Sequence, residues 1–201
     1  MADPTPHDRP LSVEEYLAFE RSSPARHEYV DGYVYAMSGP SRRHSRIAMN
    51  VGARLWAAAR GGPCRVHQAE IKLRIGRNFY YPDGMVACGP EPDDPYVEDA
   101  PCLAVEVTSP STARTDRREK ATAYTALPSL GAYLVVDQGR RLVDRHWHDD
   151  AGWHRVTLVG HGTIVLPCPA LTLTLDEIYE GVEFPPPEET RRVREEAEAY
   201  R

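Results

Sequence analysis

The stretch from Cys102 to Asp137 limits the fold more than any other part of the chain. It begins with the apolar run Leu103-Ala104-Val105-Glu106-Val107 and breaks at Ser109-Pro110-Ser111-Thr112. Residues 116–127 then have helical composition, and Pro128, which disfavours helical backbone in the residue before it, ends them. Ala132-Tyr133-Leu134-Val135-Val136-Asp137 is nearly all apolar, the pattern of a central strand in a sheet covered on both faces. In the first run, alternation puts Leu103, Val105 and Val107 on one face and Ala104, Glu106 and Thr108 on the other. Glu106 is therefore an acid in an inner strand. A carboxylate taken out of water either gains a proton or is held by a cation or by hydrogen-bond donors.

The flanking segments fit a mixed α/β chain. Ser12-Val13-Glu14-Glu15 has the spacing of a capping box and predicts a helix to about residue 20. Asp31-Gly32 between 27–30 and 33–37 predicts a hairpin, because this pair tolerates the positive φ of a type I′ turn. Ile47, Val51, Leu55 and Ala58 recur at helical spacing over 42–60, ahead of Gly61-Gly62-Pro63. Further strands are expected at 65–75, 83–88 and 102–108, and a second hairpin at 141–148 and 153–159. Short strands follow near 163–166 and 171–175. One domain over 11–184 is expected, with 1–10 and 185–201 as flexible or peripheral termini.

With 201 residues, 41% of them hydrophobic and 27% charged, the chain has the composition of a globular protein. No apolar stretch reaches the ~18 to 20 residues that span a bilayer, and the N-terminus lacks a basic region followed by an apolar one. A cytoplasmic protein with no membrane partner is expected. Cys64, Cys88, Cys102 and Cys168 are scattered and form no C-x-x-C pair, so free thiols are expected. The net charge of -6 does not favour a general nucleic-acid coat protein, yet residues 41–77 carry nine bases against one acid, Glu70. That segment could face a polyanion, whereas the acids of 91–99 are expected in a solvated loop. His146, His148 and His154 leave a zinc or nickel site open as an alternative.

Asp83, Glu106 and Lys120 lie in the order strand, strand, helix, which permits the three to meet. Two neighbouring carboxylates repel, and a hard cation such as Mg²⁺ that takes both as ligands keeps both ionised. Such an ion polarises a phosphoryl oxygen and lowers the pKa of bound water, and a nearby ammonium stabilises the developing charge.

The chain resembles a known family in Tyr81-Pro82-Asp83, in the run Pro101 to Thr112, in Asp116, Lys120 and Tyr124, and in Tyr133-Leu134-Val135-Val136-Asp137. It is similar there to the Uma family of restriction-endonuclease-like proteins, in the PD-(D/E)XK nuclease superfamily. His27-Glu28-Tyr29-Val30-Asp31-Gly32, His44 and the segment 171–179 extend the likeness over most of 11–180. The resemblance implies a restriction-endonuclease-like core, of α/β (α+β) class. That core is a mixed central sheet flanked by helices, with additional antiparallel strands toward the C-terminus. It also implies hydrolysis of nucleic-acid phosphodiesters with Mg²⁺ or Mn²⁺, Asp83 and Glu106 as metal ligands, and Glu28 as a further acid. His44 is either a proton shuttle beside the metal or a helix-start histidine. The superfamily's lysine two residues after the acid is replaced here by Thr108, so the ammonium would come from Lys120. Gly131-Ala132-Tyr133-Leu134 also departs from the family, which usually has a Glu before Tyr-Trp there.

The expected function is therefore a metal-dependent DNA endonuclease, with a homodimer suited to the two-fold symmetry of a duplex. A non-catalytic nucleic-acid-binding or oligomerisation module on the same fold remains open, as does a metal-dependent hydrolase of small phosphate esters.

Overall fold

The computed structural model describes residues 9–108 and 116–184, without the side chains of 116–118. The expected break at 109–112, the side chain of Asp116, and the termini before residue 9 and after residue 184 lie outside the described residues. In chain order the elements begin with α1 (Val13–Ser22), β1 (His27–Val30), β2 (Tyr33–Ala36), α2 (Arg42–Ala59), β3 (Arg65–His67) and β4 (Lys72–Ile75). Next come β5 (Asn78–Tyr80), β6 (Gly84–Ala87), β7 (Val97–Glu98), β8 (Leu103–Thr108), α3 (Asp116–Thr125) and β9 (Ala132–Asp137). The chain ends in β10 (Leu142–Asp149), β11 (Gly152–Val159), β12 (Thr163–Pro167), β13 (Ala170–Thr174) and α4 (Leu175–Ile178).

Local chemistry sets the early elements. The expected capping box opens α1: the Glu15 N–H donates to Ser12 Oγ at 3.2 Å and the Ser12 N–H to Glu15 Oε2 at 2.8 Å. Asp31 and Gly32 turn the β1–β2 hairpin with φ of 51° and 93°. At Gly32 a Cβ would stand 2.6 Å from Pro10 Cβ, in a backbone region that L side chains rarely adopt. Gly32→Ala is therefore expected to cost about 1 to 2 kcal/mol, read as a lower thermal midpoint with unchanged far-UV circular dichroism.

The central sheet has six strands in the order β11-β10-β9-β8-β6-β3. It is mixed: β8 and β9 run parallel, joined by the α3 crossover, and the remaining pairs are antiparallel. A second sheet, β2-β1-β5-β4-β7, and the β12–β13 hairpin complete the fold. All residues of β8 and β9 are buried, as central strands should be. Leu103, Val105 and Val107 pack with Ile47, Val51 and Leu55 of α2. Ala104, on the other face, joins Tyr124 of α3, Leu73 of β4 and Tyr80 of β5. The alternation expected for 103–108 is thus present, and each fully buried Leu here is worth about 1.5 to 3 kcal/mol.

Several expectations need correction. The single strand at 65–75 is two strands in different sheets, β3 in the central one and β4 in the other, with Ala69 at φ 36° between them. The acidic segment 91–99 is not wholly a solvated loop. Val97–Glu98 pairs parallel with β4, and buried Glu98 accepts from Arg65 Nη2 at 3.1 Å. The cysteines are not free thiols: Cys64 is paired with Cys88 and Cys102 with Cys168. Sheet register creates these neighbours, since pairing of Arg65 with Ala87 brings Cys64 beside Cys88. Register also separates the three histidines, because His154 lies opposite Trp147 on β10 and so faces away from His146 and His148. Among the described residues no helix is long and apolar enough to cross a membrane.

Candidate active site

The antiparallel register of β6 and β8 places Gly84 opposite Val105. One step further sets Asp83, just before β6, across from Glu106. Asp83 lies just beyond the paired residues of β6, so its position at the same strand end as Glu106 is set by its hydrogen bonds rather than by the face of the strand. Asp83 Oδ2 accepts the Val107 N–H at 2.6 Å, which ties the acid to the backbone beside Glu106. Its Oδ1 lies 2.8 Å from His44 Nε2.

His44 gets there through the cap of α2. Ser41 is the N-cap, its Oγ accepts the His44 N–H at 3.1 Å, and the same hydroxyl donates to Gln138 Oε1. Arg43 Nη1 adds a bond of 3.3 Å to the Gln138 carbonyl. The start of α2 is therefore pinned to the end of β9. Burial works against protonating His44, but the hydrogen bond and charge of Asp83 outweigh it and raise its pKa above the ordinary histidine value.

Glu106 points to the opposite side of the sheet from Val105 and Val107 and meets α3. Its Oε1 accepts from Lys120 Nζ at 3.1 Å and from the Tyr124 hydroxyl at 2.7 Å. Lys120 and Tyr124, one helical turn apart, present both donors from one face of α3. Lys120 Nζ also lies 2.7 Å from Glu28 Oε1, and this oxygen accepts the Tyr81 N–H at 3.2 Å. The five residues singled out in the sequence form two bonded groups, Glu28–Lys120–Glu106 and His44–Asp83, and the second is tied to the first through the backbone N–H of Val107, next to Glu106. Glu28 and His44 enter from different sides of the central sheet, one through Lys120 and the other through Asp83.

Burial pushes the Glu106 carboxyl up to about 7; Lys120 and the Tyr124 hydrogen bond oppose the rise, while Asp83 and Glu28 add to it. Burial also disfavours the Lys120 ammonium, but Glu106 and Glu28 together outweigh it and hold its pKa well above the ordinary lysine value. Lys120 is therefore a fixed positive charge and not a proton acceptor at neutral pH. Between pH 4.5 and about 7 the folded chain keeps a Glu106 proton that the unfolded chain has lost. This contribution to stability is full below 4.5 and disappears as pH rises through about 7. Glu106→Gln should flatten that part of the stability profile, measured by denaturant unfolding at several pH values.

Tyr124 had no assigned role in the sequence, although its spacing from Lys120 was visible. A second network behind the site was also missed. Buried Glu20 accepts from the Tyr81 hydroxyl at 2.7 Å and from the His27 N–H at 3.1 Å, and its Oε2 lies 3.0 Å from His27 Nδ1. Through Tyr81, this network braces the residue whose N–H holds Glu28. Only the burial of an acid on the inner side of α1 could have signalled it.

Three acids and two cationic side chains at one end of a mixed sheet, crossed over by a helix, define a restriction-endonuclease-like fold with a polar cluster at its centre. The same architecture occurs in the crystal structure of an Anabaena variabilis protein described as a putative nuclease belonging to DUF820. The two match with a TM-score of 0.74 and 16% identity, over 87% of this chain and all of the other. The model of the Uma2 family, described as "Putative restriction endonuclease", matches residues 13–177, and the chain belongs to this family. Two uncharacterized Synechocystis proteins are similar to it. Slr1290 is 35% identical over 178 residues, covering 87% of this chain and 94% of the relative. Sll1609 is 27% identical over 153 residues, covering 68% and 84%.

Proposed function

We propose that this chain is a divalent-metal-dependent endonuclease that hydrolyses phosphodiester bonds in DNA. The observation that carries the reading is that Asp83 is bonded to the backbone N–H next to Glu106 on the adjacent strand, with Lys120 Nζ 3.1 Å from Glu106. Asp83 and Glu106 are the residues that would hold the ion. The donor set fits a hard cation: all its acidic ligand atoms are oxygens, and Glu28, Asp83 and Glu106 outnumber Lys120 and His44. Asp83 and His44 keep 12% and 17% side-chain exposure, whereas Glu106 is buried, so an ion would approach from the Asp83 side.

Mg²⁺, or Mn²⁺ in its place, supplies polarisation of a phosphoryl oxygen and a lowered pKa for a bound water. The chain's own residues do the rest. Lys120 keeps a permanent positive charge beside Glu106, where negative charge grows on the phosphoryl group. His44 fixes Asp83 through Oδ1, and its raised pKa suits it to a proton-shuttle role there. The Tyr124 hydroxyl fixes Glu106 Oε1, and Glu28 shares the ammonium that would otherwise be committed to Glu106 alone.

DNA as substrate is supported by the first turns of α2, where exposed Arg42 and Arg46 flank His44 in sequence and have no ion-pair partner among the described residues. Other bases of that segment are committed within the fold. Arg65 pairs with Glu98, and Arg54 pairs with Glu177 at 3.1 Å and Glu180 at 3.5 Å. Incubation with supercoiled plasmid should yield nicked and linear products with Mg²⁺ and none with a chelator. Retention of duplex in a gel shift without cleavage, in either Mg²⁺ or Mn²⁺, would contradict the proposal and point to a binding module.

A further inference from the structure

The four cysteines meet at the end of β6 and β8 opposite to Asp83. Cys64 precedes β3, Cys88 follows β6, Cys102 precedes β8 and Cys168 lies between β12 and β13. Beyond the two disulfides, Cys88 Sγ lies 3.0 Å from Cys168 Sγ and 3.6 Å from Cys102 Sγ. The sulfurs of Cys64, Cys88 and Cys168 all fall within 4.8 Å of one another. Cys88 is thus in reach of every other sulfur, and the observed pairing is one of three that four cysteines allow.

A tetrahedral tetrathiolate with metal–sulfur bonds of about 2.3 Å needs sulfurs about 3.8 Å apart. Two contacts between the disulfides, at 3.0 and 3.6 Å, are near that spacing; the bonded partners would have to part, and Cys102, which lies outside the 4.8 Å group, would have to close on Cys64. All four residues are half-buried at the edge of the main apolar cluster. Soft thiolate ligands select Zn²⁺ over the hard cations that suit carboxylates.

We propose that Cys64, Cys88, Cys102 and Cys168 form a tetrathiolate site that binds one Zn²⁺ when reduced, and that the two disulfides are its oxidised, metal-free form. Each disulfide takes up two electrons from a reductant such as a phosphine and two protons from water. The phosphine becomes phosphine oxide, with water supplying the oxygen and the protons. Zn²⁺ then displaces the thiol protons. The ion would fasten the β12–β13 hairpin, which pairs with neither larger sheet, to β3, β6 and β8. This site is independent of the nuclease reading, since it uses none of the same residues.

The test is a Co²⁺ titration of the full chain, reduced with a phosphine under anaerobic conditions, followed by Zn²⁺. One equivalent of Co²⁺ should produce the intense visible bands and sulfur charge-transfer absorption of tetrahedral thiolate coordination, and one equivalent of Zn²⁺ should abolish them. The oxidised chain and Cys88→Ser should lack the bands, whereas Glu106→Gln should retain them, which separates this site from the carboxylates. If Cys88→Ser does not fold, the comparison of oxidised with reduced wild type decides alone. A reduced, folded chain without the bands would overturn the proposal, as would unfolding on reduction that Zn²⁺ does not reverse.

Discussion

Glu106→Gln is expected to lower DNA cleavage by roughly a thousandfold or more while leaving the fold intact. The substitution keeps the volume and the oxygen that accepts from Lys120 and Tyr124, but removes the charge that would hold a cation. Because burial already pushes the carboxyl up to about 7, the neutral side chain suits the folded state well. The variant should therefore melt within a few degrees of wild type at pH 8, and the loss should lie in turnover. Cleavage assays on supercoiled plasmid, beside thermal melts of the same samples, check both halves. A variant that cleaves at the wild-type rate would remove Glu106 from the chemistry.

Lys120→Met is expected to damage the fold itself. Its ammonium lies between Glu28 at 2.7 Å and Glu106 at 3.1 Å, and all three side chains are buried. Removing one partner of a buried ion pair typically costs about 3 to 5 kcal/mol, because the other charge is left uncompensated. The loss should be smaller at pH 5 than at pH 8, since the stranded acids can then take protons. The double variant Lys120→Met with Glu106→Gln should recover part of the stability, and denaturant unfolding of the four proteins yields the coupling. Equal loss in the single and double variants would show that the ion pair does not carry the effect.

Much of the site was legible in the sequence because it rests on strong local signals. An acid between valines in a covered strand has few explanations, and the run at 132–137 marked the sheet as buried on both faces. The resemblance supplied Glu28, which no pattern in its own segment singled out; in the structure its only local signal is a hairpin strand. What was not legible depends on contacts between distant segments. β5 and β7 are three and two residues long and are defined by pairing with β4, so neither has room for a periodic pattern. Glu98 looked solvated because its partner, Arg65, is 33 positions away. The cysteines looked isolated for the same reason, with disulfide separations of 24 and 66 residues. Tyr124 entered as part of the family likeness, and its hydroxyl acquires a role only where Glu106 comes within reach.

The central claim is that Asp83 and Glu106 form one cation site. Calorimetric titration of the oxidised chain with Mn²⁺ in the absence of DNA tests it most directly, with Asp83→Asn and Glu106→Gln beside wild type. One high-affinity ion in wild type and its loss in both folded variants is the predicted result. Undiminished Mn²⁺ binding in either variant, or none in wild type, would contradict the account.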